Sequence, residues 1–113
     1  MITFKQYLIE AVSNIRYSVR TMRDGSIYIS AIDIEKLNDR GNPLSVAHLH
    51  VPTDRMYKNT FSVGDVWVSD FYRRQGIATK MYELAEKKLN MKAEPSEWRS
   101  PEANMFWKRR EEV

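Results

Sequence analysis

The chain has no cysteine, which removes disulfide bridges, thiolate metal sites and a cysteine nucleophile from its chemistry. It also lacks any apolar run long enough to cross a bilayer, so no membrane partner is expected. The start has no basic flank followed by an uninterrupted apolar stretch, and Phe4-Lys5-Gln6-Tyr7 is amphipathic, so no secretory signal is expected and the cytoplasm is the default compartment. No internal repeat, low-complexity tract or linker divides the sequence. With 113 residues, 42% hydrophobic and 29% charged, it fits one globular domain with one core over residues 1–113.

The net charge of +3 admits an anionic partner without naming one, so the placement of the charge matters more than its sum. Arg73-Arg74 stands just before a glycine, whereas Lys108-Arg109-Arg110 closes a helical stretch and is followed by Glu111-Glu112. The second cluster fits a solvated helix end, favoured by the helix dipole. No recognised nucleic-acid motif accompanies either cluster, so nucleic acid is not the expected partner, although a small basic nucleic-acid-binding protein remains a third functional alternative.

Thr3-Phe4-Lys5-Gln6 has the form of a capping box, and Phe4, Tyr7, Leu8, Ala11 and Ile15 follow at helical spacing, which predicts an opening helix. β-Branched and aromatic residues over 16–22 and 27–34, separated by Arg23-Asp24-Gly25-Ser26, predict a hairpin. A turn-rich loop over 38–43 leads to a third strand over 44–51 that Pro52 stops, and a fourth strand ends at Val68. After Gly76, the stripe of Ala78, Met81, Tyr82, Ala85 and Leu89 predicts an amphipathic helix. A short extended piece over 91–94 is stopped by Pro95, and a last helix starts with Ser100 as its cap and Pro101 at its first position. The order of helix, four strands, helix, short strand and helix indicates the α+β class, with a mixed sheet.

The informative segment is Val66-Trp67-Val68-Ser69-Asp70-Phe71-Tyr72-Arg73-Arg74-Gln75-Gly76-Ile77-Ala78-Thr79, a strand running through a basic loop into a helix. The first amides of such a helix have no intrahelical acceptor and point at an anion. Gly76 lets the backbone approach closely, Ala78 keeps the next contact small, and Arg73 and Arg74 offer charge-assisted bonds to phosphate oxygens.

Arg73-x-x-Gly76-x-Ala78, five residues after Val68, resembles the R/Q-x-x-G-x-G/A pyrophosphate loop of the GNAT superfamily of N-acyltransferases. Val66-Trp67-Val68 resembles that family's fourth strand, and Met81-Tyr82-Glu83-Leu84-Ala85-Glu86 its cofactor-side helix. Pro95-Ser96 and Ser100-Pro101-Glu102-Ala103-Asn104-Met105-Phe106-Trp107-Lys108 are similar to the late strand and helix of small members, so the resemblance runs from Val66 to Arg110. It implies a GNAT-like fold with an N-terminal helix, central strands, a cofactor-side helix and a C-terminal helix, lacking the usual final strand pair. It further implies acetyl-CoA as cofactor, with Val66, Trp67 and Val68 as main-chain contacts to pantetheine and the thioester. Arg73 takes the first place of the motif, and Arg74, Gln75, Gly76, Ile77, Ala78 and Thr79 form the pyrophosphate cradle. The Val68 amide would polarise the thioester carbonyl while an unidentified amine, on a small molecule or a protein, attacks it directly.

Family catalytic residues do not carry over. Trp107 stands where many members place a tyrosine acid, and an indole N–H is no useful acid. The local candidates are His50 and Asp65. His48 and His50 share one face of a strand, which suits a proton relay, and no third ligand at a recognisable spacing supports a metal site. A GNAT-like binding or interaction module without turnover is the alternative function. The hairpin at Asp24-Gly25 occupies the place where many members insert two helices, leaving the acceptor side open or completed by a second copy or a partner protein. The opening Met1-Ile2-Thr3-Phe4-Lys5-Gln6-Tyr7-Leu8-Ile9-Glu10 resembles the starts of bacteriophage proteins.

Overall fold

The structure, a computed structural model, describes residues 14–95 and 101–111. Strand β1 (Ile15–Thr21) and strand β2 (Ile27–Leu37) form an antiparallel hairpin in register from Thr21↔Ile27 to Ile15↔Asp33. Its turn follows from the sequence. Gly25 takes φ 93°, a left-handed conformation that glycine adopts without steric cost, and Asp24 Oδ1 accepts the Ser26 amide and hydroxyl at 2.9 and 2.7 Å. Strand β3 (Pro43–Val51) returns antiparallel to β2 after a loop in which Asn38 Oδ1 accepts the Arg40 and Asn42 amides.

The register sorts the residues into two faces. Ile27 lies opposite Val51 and Ile29 opposite Leu49, and all four are buried. These side chains share one core with Ile77, Met81, Tyr82 and Ala85 of helix α1 (Ile77–Leu89). Tyr28 and Ser30, opposite His50 and His48, project from the other face and are only half-buried. Side-chain alternation in the strands and the three-to-four spacing in the helix thus meet on one surface.

The expected fourth strand is divided. Strand β4 (Thr60–Ser62) pairs in parallel with strand β6 (Lys92–Glu94), whereas strand β5 (Asp65–Val68) pairs antiparallel with β3. Val63 and Gly64 lie between the pieces, and the Gly64 amide donates to the His50 carbonyl at 2.9 Å. A methyl group at Gly64 would stand 2.8 Å from Pro52 Cδ, so the backbone can pass only because no side chain is there. The result is a four-stranded sheet in the order β1-β2-β3-β5 beside the β4-β6 pair. Among the described residues, no strand covers the outer edge of β5.

The protein is α+β, with a mostly antiparallel sheet and, among the described residues, two helices, α1 and α2 (Pro101–Glu111). Strand directions are mixed, but the parallel pair forms a sheet of its own. Ile15, expected at the end of a helical stripe, opens β1. β2 runs three residues beyond its expected end, and its Ile34 amide bonds the Asn14 carbonyl at 3.0 Å. Asn90 takes φ 52° and ends α1, so the following strand starts at Lys92. The opening helix and the Ser100 cap fall outside the described residues. No helix among the described residues is long and apolar enough to cross a membrane.

Candidate functional site

The loop between β5 and α1 is fastened from below. Tyr72, in a single 3-10 turn (Asp70–Tyr72), is buried and donates its hydroxyl to Asp33 Oδ2 on β2 at 2.6 Å. The other Asp33 oxygen accepts the Glu35 amide at 3.0 Å. The Tyr72 hydrogen bond holds the Asp33 carboxyl below its ordinary range, outweighing the opposing effect of desolvation. The same bond pushes Tyr72 up to about 12, because an ionised phenol would lose it and face the carboxylate. A charge-assisted bond thus ties the loop to the sheet.

Above that anchor the backbone is unusual. Arg74 has φ 63°, a left-handed conformation uncommon for a residue with a side chain, and Gly76 has φ 78°. A left-handed residue followed by a helical turn is the arrangement that gathers successive amides around an anion. The Lys80 amide bonds back to the Gly76 carbonyl at 3.0 Å, so the amides of Ile77, Ala78 and Thr79 precede the helical ladder. A Cβ placed on Gly76 would meet nothing within 4 Å, so open space lies before the helix start.

The edge of β5 leads into this space. The Ser69 amide donates to the Val46 carbonyl of β3 at 2.8 Å, so by strand alternation Trp67 also turns its amide to β3. Val66 and Val68 therefore direct their backbone groups to the uncovered edge. Arg73 occupies part of that edge: its Nε donates to the Val68 carbonyl at 3.3 Å, and its Nη2 lies 3.1 Å from Asp70 Oδ1. Arg73 thus braces the loop, while Arg74 is exposed. Gln75 donates to the Phe71 carbonyl at 3.2 Å. Ile77 puts its side chain into the core, leaving only its main chain at the helix start, and Thr79 is exposed on the first turn.

His50 and Asp65 are partners across β3 and β5, yet the Asp65 carboxylate bonds His48, with Oδ2 2.7 Å from Nε2. His48 faces Trp67 directly across the strands, with ring centroids 5.5 Å apart, and stacks on Tyr28 at 5.8 Å. His50 lies 6.1 Å from the Tyr28 ring. Trp67 is 44% exposed. Sequence reasoning put both histidines on one face but attached no partner to His48; only the β3–β5 register supplies it. It also passed over Phe71, which is 86% exposed at the loop, with Lys36 Nζ 5.8 Å from its ring centroid.

A second aromatic group joins the helices. Trp107 is only 6% exposed and packs edge-on to Tyr82 at 5.2 Å and to Phe106 at 5.6 Å. Arg110, expected on a solvated helix end, instead lies 5.3 to 5.7 Å from all three rings and bonds Glu86 at 3.1 Å. The other Glu86 oxygen accepts the Ala93 amide of β6 at 3.1 Å. Burial pushes the Tyr82 hydroxyl up to about 12. Lys108 and Arg109 are exposed, as the dipole argument expects.

Among known families, the model described as ESCO1/2 acetyl-transferase matches residues 57–97. The matched stretch holds β4, β5, the loop, α1 and β6, a little over a third of the chain, and it supports acetyl transfer in general. A comparison with curated proteins finds no match.

Proposed function

We propose that the chain is an acetyl-CoA-dependent N-acetyltransferase of the GNAT type that moves an acetyl group to an amine by direct attack. The observation that carries this is the edge of β5, uncovered among the described residues, leading to the open start of α1. An extended arm with amide groups fits the first part, because Val66 and Val68 offer strand-like main-chain partners. A pyrophosphate fits the second, because the amides after Gly76 and the Arg74 guanidinium supply donors and positive charge. A thioester carbonyl lying along that edge would have the Val68 amide as its polarising donor. The family match, which covers this same stretch, supports acetyl transfer.

Trp107 cannot protonate a leaving thiolate, since an indole N–H is no useful acid, and its ring is packed against Tyr82 and Phe106. That packing is what a binding module without turnover would also show, so binding and transfer are measured separately. The acceptor is an amine on a small molecule or a protein, and its side of the site is open or completed by a second copy.

Gly76→Glu tests the cradle. The side chain has room, but the left-handed backbone costs about 1–2 kcal/mol for any residue with a Cβ. Gly76→Asn shares most of that cost without the charge and is the control. Calorimetry with acetyl-CoA should show binding by the parent, slightly weaker binding by Gly76→Asn and loss in a folded Gly76→Glu. Equal affinity in Gly76→Glu and the parent, or no parental binding at millimolar concentration, would refute the proposal.

A further inference from the structure

The acceptor amine must lose a proton as it attacks, and some group of the site must take it. We infer that His48 is this base and that Asp65 positions it, an assignment that rests on the acetyltransferase reading above. Three observations converge on His48 rather than on His50.

The first is hydrogen bonding. The contact of Nε2 with Asp65 Oδ2 at 2.7 Å assigns the ring proton to Nε2, because a carboxylate only accepts. In the neutral ring this leaves Nδ1 with its lone pair, and among the described residues Nδ1 has no hydrogen-bond partner. A neutral imidazole held in one tautomer by a carboxylate, with the opposite nitrogen free, is a competent proton acceptor.

The second is position. His48 stands directly opposite Trp67, one residue from Val68, whereas His50 stands opposite Asp65, three residues from Val68. At about 3.3 Å per residue, His50 is on the order of 10 Å along the strand from the Val68 amide, and His48 about 3.3 Å. Across the strands both are about 5 Å away. Only His48 is level with the place proposed for the thioester.

The third is access. The His48 side chain is 26% exposed and Asp65 67%, on the sheet face away from α1. The rings of Tyr28 and Trp67 flank the imidazole on both sides and limit its swing, and Trp67 belongs to β5, the strand whose outer edge no described strand covers. An amine approaching the Val68 amide over this face would pass its proton to Nδ1 directly or through one water.

The step balances as follows. The amine nitrogen forms a bond to the carbonyl carbon and gives its proton to His48 Nδ1, while Asp65 stabilises the imidazolium. The carbon–sulfur bond breaks, the sulfur keeps the electron pair and takes a proton from water, and His48 returns its proton to solvent.

The test starts from the parent, measured for acetyl-CoA binding by calorimetry and for thiol release with a panel of amines and peptides. No binding refutes the acetyltransferase reading itself. Binding without release to any acceptor overturns both transfer and the base assignment, and leaves a cofactor-binding module. With turnover, His48→Ala should lower kcat about 10²–10⁴-fold at unchanged acetyl-CoA affinity, and added imidazole should restore part of it. Asp65→Asn should lower kcat less. In nitrogen NMR of the unliganded protein, Asp65→Asn should mix the His48 tautomers, a change that a purely structural role would not produce. A kcat kept in His48→Ala, or lost only in His50→Ala, or an Nδ1–H tautomer in the parent, overturns the inference and leaves the acetyltransferase reading standing.

Discussion

Two aromatic clusters of similar make-up sit in opposite surroundings. One joins Tyr82, Phe106 and Trp107 to Arg110 and Glu86 between α1 and α2; the other joins Tyr28 and Trp67 to His48 and Asp65 on the open sheet face. In the first, Trp107 is 6% exposed and Glu86 uses both oxygens, one on Arg110 and one on the Ala93 amide. In the second, Trp67 is 44% exposed and one imidazole nitrogen is left without a partner among the described residues. The same residue types therefore serve two ends. Shielded and saturated, they bind elements together; open and unsaturated, they leave chemistry available.

If that contrast is right, damage to the closed cluster should appear in stability. Trp107→Ala removes a buried ring that both Tyr82 and Phe106 pack against, and should cost about 3–5 kcal/mol in urea unfolding. A loss well under 1 kcal/mol would show that α2 is not held this way.

The loop anchor lies between the two extremes, being buried but consisting of one bond. Tyr72→Phe should cost about 1–3 kcal/mol near neutral pH, because Asp33 keeps its charge and loses its donor. The sign of the pH dependence follows from the two shifts. Asp33 is lowered in the folded protein, so its contribution is present above the unfolded carboxyl value and fades as pH falls through the folded one. Tyr72 is raised, so its contribution is complete below the unfolded phenol value and fades as pH rises toward about 12. Unfolding curves of parent and Tyr72→Phe should thus converge in both strong acid and strong alkali. A gap of constant size across that range would show that the hydroxyl acts by packing alone.

The smallest effect is expected at the open cluster. Asp65→Asn should change stability by no more than about 1 kcal/mol, since its pairing with His48 is exposed to solvent and screened. A loss above 2 kcal/mol would place the dyad among the elements that hold the fold and erase the contrast.

Local chemistry made much of this architecture legible from sequence. Asp24-Gly25 dictates its turn through one side chain and one backbone angle, and Gly76 with the stripe behind it dictates where α1 begins. What the sequence withheld depends on register between distant segments. His48 and Asp65 are 17 residues apart, Tyr72 and Asp33 39, and Arg110 and Glu86 24, and no spacing rule joins such pairs. Arg73 precedes the glycine and reads as a phosphate ligand, and its contacts with the Val68 carbonyl and the Asp70 carboxylate are legible only once the loop is folded. Arg110 looked solvated because its neighbours Lys108 and Arg109 are, yet one step along the helix turns it inward. The split of the fourth strand was hidden for a different reason: Gly64 reads as one more small residue until Pro52 is found against it.

That contact reaches beyond the seam itself. A Cβ on Gly64 would stand 2.8 Å from Pro52 Cδ and 3.0 Å from Cγ, so the chain between β4 and β5 passes the pyrrolidine ring with no room for a side chain. A proline ring cannot rotate aside as a long side chain would. Any larger residue at position 64 would therefore push the backbone off the proline and carry the start of β5 with it, so two residues outside β5 bear on where its free edge lies.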